Sequence, residues 1–357
     1  MRVALLGDIA LFGRCTSTDY FKEISDYLAR FDFIVGNLET PFSAVKKKSG
    51  AKSAYISADL STMDVLTLLH LNAVSLANNH MFDYGKEGYE MTKEVLAQKG
   101  IEWFGAEGKE LYVEEDYHRL AFAGYCCYTS NPLQCVKSGG YGVNAYDLNE
   151  AKEFIKKNAS EGYLPIIAVH AGLEHVNYPS IDHIRAARQL ASVGQYVYYG
   201  HHPHVIQGVE MSDGSLIAHS LGNFCFDNVF SDTSGNVPLV KMTENNRKGI
   251  LLELTIEGNK LMEWREQVIL ITESGVRVDN SQNQKLEEYN RILVECEHDI
   301  TDYNAKRNEM LDSRSRERKA MRNLIWYLKR LRVRYVRLML DMRKNARLYN
   351  ESVKRFL

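Results

Sequence analysis

The chain has 357 residues, 45% of them hydrophobic and 25% charged, and a formal net charge of -2. This is the composition of a soluble globular protein of about two domains, large enough to bury roughly three quarters of its unfolded surface. No stretch reaches the ~18 apolar residues of a membrane span, and Val3-Ala4-Leu5-Leu6 is too short for a signal-peptide core, so a cytoplasmic address is expected. The six cysteines show neither a CxxC pair nor framework spacing, which predicts buried free thiols. Charge is uneven: residues 301–357 carry 17 Lys/Arg against 6 Asp/Glu, a net of +11, whereas the remainder, 27 against 40, is -13. An acidic body with a basic tail predicts two functional parts, a body over residues 1–280 and a helical extension over 283–357.

The first 200 residues alternate strand-like and helix-like segments. Val3–Leu6, Phe33–Val35, Ala73–Ala77, Leu164–Val169 and Tyr196–Tyr199 are apolar runs, and Thr18–Arg30, Ser61–Leu71, Gly85–Lys99 and Ile181–Ala191 have helical periodicity. This alternation predicts an α/β domain whose strands are largely covered by helices. Between residues 205 and 271, two-period runs broken at Ser212-Asp213-Gly214 and Glu257-Gly258-Asn259 read as hairpins of a second, more antiparallel sheet. Residues 43–53, with three consecutive lysines, read as a mobile surface loop; residues 129–145 and 227–247 read as loops able to act as lids. Tyr125, Tyr128, Tyr141 and Tyr146 border the first of these and suit packing better than substrate contact.

From about Gln282 the chain is free of Gly and Pro. Leu324, Leu328, Leu331, Tyr335, Leu338 and Met342 make one apolar stripe, flanked by Lys329, Arg330, Arg332, Arg334, Arg337, Arg343 and Lys344. A helix packing on the body or on a sister chain explains it, as does a helix lying on anionic lipid. No recognisable nucleic-acid module interleaves aromatics with these cations, so no nucleic-acid partner is expected.

Six polar clusters collect the residue types that hold divalent ions: Gly7-Asp8, Gly36-Asn37-Leu38-Glu39, Asn78-Asn79-His80, His170-Ala171-Gly172-Leu173-Glu174, Gly200-His201-His202-Pro203-His204 and Ser220-Leu221-Gly222-Asn223-Phe224. Most close an apolar run, so carboxylate, amide and imidazole groups would meet at the carboxyl ends of strands, where ligands bind in α/β sheets. Each alone has a plainer explanation: Gly-Asp caps turns, Asn-His pairs fill loops, and a histidine after a strand is often a hydrogen-bonded structural residue. The Pro-braced His201/His204 pair is the strongest single signal for metal.

In this order the clusters resemble the bacterial CapA family of capsule and poly-γ-glutamate synthesis, within the calcineurin-like metallophosphoesterase superfamily; the resemblance covers roughly residues 1–270. It implies a four-layer α/β/β/α sandwich with a metal centre at one sheet edge, followed here by the α-helical extension. It further implies one or two divalent ions (Mn, Zn, Fe or Mg): Asp8 and His204 on the first, Glu39 bridging, and Asn79, His170 and His201 on the second. His80 would protonate the leaving group or steady transition-state charge, and Arg14, Asn37, Asn78, Glu174 and Asn223 would meet substrate. The chain departs from the wider superfamily at Asp8-Ile9-Ala10, where Asp-x-His is usual, and at Asn37, where a bridging Asp is usual; a weaker first site or a single ion follows. Gly13-Arg14 matches a family Gly-Arg with one extra residue. Many relatives carry an N-terminal membrane anchor, whose place the basic helix would take on the inner face of the membrane.

The function this implies is a metal-dependent hydrolase acting on a cell-surface polymer, an exopolysaccharide or polyglutamate, or on its phosphorylated precursor. The alternative is a non-catalytic, metal-stabilised accessory subunit of a capsular polymer synthase, engaged through the basic helix. A soluble nucleotidase ranks third, since no base-stacking pair of aromatics lies near the clusters.

Overall fold

The computed structural model describes residues 1–50, 52, 54–130, 134–136, 140–230, 237–279, 281, 283–320 and 333–355. Its first half runs β1 (Arg2–Ile9), α1 (Lys22–Leu28), β2 (Phe33–Leu38), α2 (Met63–Leu68), β3 (Ala73–Ser75), α3 (Gly85–Gln98), β4 (Glu102–Phe104), β5 (Leu111–Glu115), β6 (His118–Cys126), β7 (Cys135–Val136) and β8 (Val143–Asn144). There follow α4 (Leu148–Ser160), β9 (Leu164–His170), α5 (Ile181–Ala191), β10 (Val197–His201), β11 (Val209–Ser212), β12 (Ser215–Ala218), β13 (Asn223–Cys225), β14 (Lys248–Glu257), β15 (Lys260–Ile271) and β16 (Val276–Val278). The described part of the tail is helical: α6 (Asn283–Glu295), α7 (Ile300–Ala320) and α8 (Val333–Lys354).

The protein is a mixed α/β fold with two main sheets. One has the order β16-β15-β14-β1-β2-β3-β4, with β13 also on β1; the other has the order β11-β12-β10-β9-β6-β5. Strands β1 to β4 are parallel, as are β6, β9, β10 and β12, which leaves all their carboxyl ends at one edge of each sheet. Alternate residues of the two sheets, among them Leu5, Val35, Phe122, Ile166 and Tyr199, share one apolar cluster, so the sheets pack face to face. The opposite residues of the first sheet (Leu6, Ile34, Val74) cluster with Ile24, Leu66 and Val95 of α1, α2 and α3. Those of the second sheet (Ala123, Ile167, Tyr198) cluster with Phe154 and Leu190 of α4 and α5.

Two expectations change here, and two features come into view that the sequence pattern did not single out. The strand-rich segment after residue 205 does not build a sheet of its own: β14 to β16 extend the first sheet antiparallel to β1, and β11 and β12 extend the second. The hairpin β5–β6, which periodicity did not single out, supplies that second sheet with a buried strand, because Leu120–Cys126 is apolar on both faces. The loop 43–53 is not wholly at the surface, since Lys52 is buried. Finally, Leu286 and Tyr289 of α6 belong to the inter-sheet core.

The cysteines form no disulfide, as their spacing suggested. Tyr125, Tyr128 and Tyr146 pack in the core, and Tyr141 lies against Phe82 and Tyr89. Leu324, Leu328, Leu331, Lys329, Arg330 and Arg332 of the expected stripe lie outside the described residues. No described helix is long and apolar enough to cross a membrane.

Candidate metal centre

Two glycines set the floor of the site. A Cβ on Gly7 would lie 2.2 Å from the Gly222 carbonyl oxygen, and one on Gly200 would lie 1.8 Å from that of His219. Only glycine lets these backbones pass so closely. Each is followed by a ligand-type residue at the end of its strand, Asp8 on β1 and His201 on β10. Register does the rest. Asp8 sits beside Asn37 and Asn223, and His201 beside His170. Beyond β10 the chain turns sharply, with His202 (φ 94°) and His204 (φ 55°) in backbone conformations that non-glycine residues rarely adopt. That turn swings His204 back over β1.

The result is a buried polar knot. Asp8 Oδ1 accepts from Asn37 Nδ2 at 2.8 Å and lies 3.2 Å from His201 Nδ1. Its Oδ2 lies 3.3 Å from both His204 Nδ1 and the His202 amide nitrogen. His204 Nε2 is 3.5 Å from Glu39 Oε1, and Asp8, Glu39 and His204 offer ligand atoms all within 4.8 Å of one another. Alongside, His170 Nε2 faces Asn79 Oδ1 at 2.9 Å, and the His170 and His202 rings lie 4.8 Å apart.

Whether this set fits a cation can be judged from what the protein leaves undone. Both Glu39 carboxylate oxygens, both His201 ring nitrogens and Nδ1 of His170 and His202 are buried without a hydrogen-bond partner. Buried polar atoms are normally paired, and an unpaired buried charge costs several kcal/mol. Carboxylate oxygens and imidazole nitrogens left open together are the donor set of a borderline divalent ion, so the residues fit one. Electrostatics agree. Burial pushes Glu39 up to about 8, against the pull of His204. Burial would lower His204, but Glu39 and Asp8 outweigh it and hold the imidazole up to about 10. Asp8 stays well below the usual carboxylate range, because the neighbouring His201 and His204 imidazoles outweigh its burial.

His80 stands in a second arrangement. Its Nδ1 lies 2.7 Å from Asp83 Oδ2 and 3.1 Å from Lys52 Nζ. Lys52 also donates to Asp83 Oδ1 at 2.6 Å and to the Asn79 carbonyl at 2.7 Å. Burial and the Lys52 ammonium lower the His80 pKa, opposed by Asp83. Neither Lys52 nor Asp83 was singled out from sequence. Asp83 follows His80 by three residues, a spacing that offered a clue; Lys52 sits beyond a run of three lysines and looked solvated. Asn246 was missed as well: it accepts from Asn223 Nδ2 and donates to the His204 carbonyl, bracing the turn.

A cavity opens over this floor, lined by His80, His204, Asn223 and Glu174 and walled by Ile56, Phe226, Val229 and Met242. Val229, Val240, Met242 and Asn246 of segment 227–247 thus border the site. Glu174 and Asn223 face the cavity, and Glu174 is gripped by Arg314 of α7 at 2.7 Å. Asn37 and Asn78 do not reach it. Asn37 is fully buried on Asp8, and Asn78 spends its amide on the Leu38 carbonyl and the His80 and Met81 amides. Both brace the floor through these bonds. Arg14 is also spent: Asp227 holds it through Nε and Nη2, and Glu273 takes Nη1. A larger cleft of about 330 Å³ lies elsewhere, lined by Glu110, Tyr125, Glu150 and Lys157, and holds no residue of the six polar clusters.

Comparison with known proteins bears on the same residues. The family model of the bacterial capsule synthesis protein PGA_cap matches residues 2–228. The capsule biosynthesis protein CapA of Bacillus anthracis is 28% identical over 274 residues, covering 70% of this chain and 66% of that protein. The PGA biosynthesis protein CapA of Bacillus subtilis (strain 168) is 26% identical over 221 residues, covering 60% and 58%. The chain thus spans a little under two thirds of the length of these relatives. Among solved structures, a hypothetical protein from Thermus thermophilus superposes with a TM-score of 0.47 at 17% identity, covering 75% of this chain and 98% of that one. A putative 5'-nucleotidase from Staphylococcus aureus gives 0.45 at 10%, covering 83% and 58%. Likenesses this distant carry no argument about chemistry.

Proposed function

The chain belongs to the bacterial capsule synthesis protein family PGA_cap, and from that membership we propose a metal-dependent hydrolase of phosphoesterase type acting in capsule or cell-surface polymer synthesis. The observation that carries the reading is the open donor set: Asp8, Glu39 and His204 within reach of one ion, beside imidazoles whose buried nitrogens have no partner. In this reading the helix–sheet–sheet–helix packing is the metallophosphoesterase sandwich, and the ions are one or two of Mn, Zn, Fe or Mg. Asp8 and His204 hold the first, Glu39 bridges, and Asn79, His170 and His201 hold the second.

Divalent ions in such a site supply Lewis acidity and acidify water. The remaining work falls to the chain. Asp83 and Lys52 fix Nδ1 of His80, so Nε2 is the nitrogen that exchanges a proton with the scissile group's oxygen. Phe226, Val229 and Met242 keep bulk water from the reacting group. The substrate class that suits the centre is a polymer or its phosphorylated precursor.

A generic phosphodiester tests this. Manganese-loaded protein should turn it over, and chelation should abolish turnover and manganese restore it. Metal bound at the site with no turnover on phosphodiester, phosphomonoester or γ-glutamyl substrates would overturn the hydrolase. It would favour the second reading, an accessory subunit of a capsular polymer synthase, for which the exposed face of α8 speaks.

A further inference from the structure

Helix α8 has two apolar rows, and the protein uses one. Tyr349 and Val353 are buried in the outer cluster of the second sheet with Tyr128, Tyr146 and Ala187, and Leu348 packs against it. The Tyr349 ring meets His183 edge-on at 5.5 Å. These contacts fix which way the helix is rotated. Tyr335 and Leu338, from the row read in the sequence, are half-buried.

The second row points away. Val333 is 86% exposed, Val336 52% and Leu340 55%, at spacings of three and four, with Met339 at 46% beside them. Farther along the same face lie Arg343, Lys344 and Arg347, and Arg337 flanks it; all four are exposed. None of the four pairs with an acidic side chain among the described residues. Large side chains exposed in a row mark a contact surface. The cations beside them narrow the partner. A second copy docking face to face would set like charges against each other. A nucleic acid would have no use for the aliphatic row. An anionic bilayer uses both, because aliphatic side chains enter the headgroup boundary while guanidinium and ammonium groups meet lipid phosphates.

We propose that this face of α8 seats the protein on an anionic phospholipid surface, with Val333, Val336, Met339 and Leu340 entering the headgroup region and Arg337, Arg343, Lys344 and Arg347 on the phosphates. The inference stands apart from the chemistry of the metal centre. Co-sedimentation of the full chain with vesicles tests it. Binding should occur with vesicles of phosphatidylcholine and phosphatidylglycerol, be nearly absent with phosphatidylcholine alone, and weaken with salt. Arg343→Gln with Arg347→Gln should weaken it by about 25-fold, at about fivefold per cation. Val336→Glu with Leu340→Glu should weaken it at least as much, with circular dichroism unchanged. Failure to bind anionic vesicles, or equal binding to both vesicle types, would overturn the proposal. So would concentration-dependent dimerisation lost in the Glu variants, which would identify a second copy as the occupant.

Discussion

Two charged clusters lie within a few residues of the end of β1, and they are built on opposite principles. Around Arg14, every charge is answered. Asp227 accepts from the Arg14 amide, Nε and Nη2 and from the Asn228 amide, and Glu273 serves both Arg14 and Arg247. Around Asp8, among the described residues, the carboxylates form ion pairs with histidines and with no Lys or Arg, and six buried donor or acceptor atoms of Glu39, His201, His170 and His202 are left open. A closed cluster holds the fold together. An open one, buried at such a cost, has the donor chemistry that suits a cation. The Lys52–Asp83–His80 group lies between the two: closed at Nδ1 of His80, and exposed to the cavity through the ring.

The contrast can be broken from several sides. The largest effect is expected at His80, whose replacement by Ala should lower turnover about 10²- to 10⁴-fold. Metal content should stay unchanged, because His80 is outside the open donor set; lost metal would place it inside. Next comes Lys52→Ala, which strands the buried Asp83 carboxylate and should cost about 3–5 kcal/mol in urea unfolding. Lys52→Met with Asp83→Asn should cost less than the two single changes added, and strict additivity would deny the pair. Arg14→Ala should cost about 1.5–3 kcal/mol of stability and leave bound metal untouched. A fall in metal there would erase the distinction between the clusters.

The last effect is with pH. Without metal, Glu39 is held up to about 8 and His204 up to about 10, so near neutrality each keeps a proton that an incoming cation must displace. Metal binding should therefore release protons and tighten as pH rises from about 6 to about 8, by up to about tenfold per unit for each proton released. Calorimetry in buffers of different ionisation enthalpy reads this directly. Affinity flat across that range would mean that neither group ligates.

Much of this was legible in the sequence, and for a simple reason. Ligand-type residues that close apolar strands are placed by the strands themselves, so Asp8, His170 and His201 could be located from local pattern. Glu39, Asn79 and His204 lie one to four residues farther on and follow them. Residues placed by tertiary packing were not legible. Nothing local distinguishes Lys52 from the exposed Lys46 and Lys47, or Asn246 from a loop asparagine. Arg14, Asn37 and Asn78 were read as substrate contacts, but a polar side chain beside a site has two fates, and here each is engaged by protein neighbours. Sheet membership failed similarly: hairpin β14–β15 reads the same whether it starts a sheet or pairs with β1, and the pairing is long-range.

The central claim is that the open cluster is a metal site, and metal content per chain tests it most directly. Wild type, His170→Ala, His204→Ala and Arg14→Ala would be exposed to manganese and zinc, desalted and analysed for elements. Wild type and Arg14→Ala should retain one or two divalent ions per chain, and both histidine variants should hold fewer. No retained ion in wild type, or histidine variants that bind as well as wild type, would contradict the account.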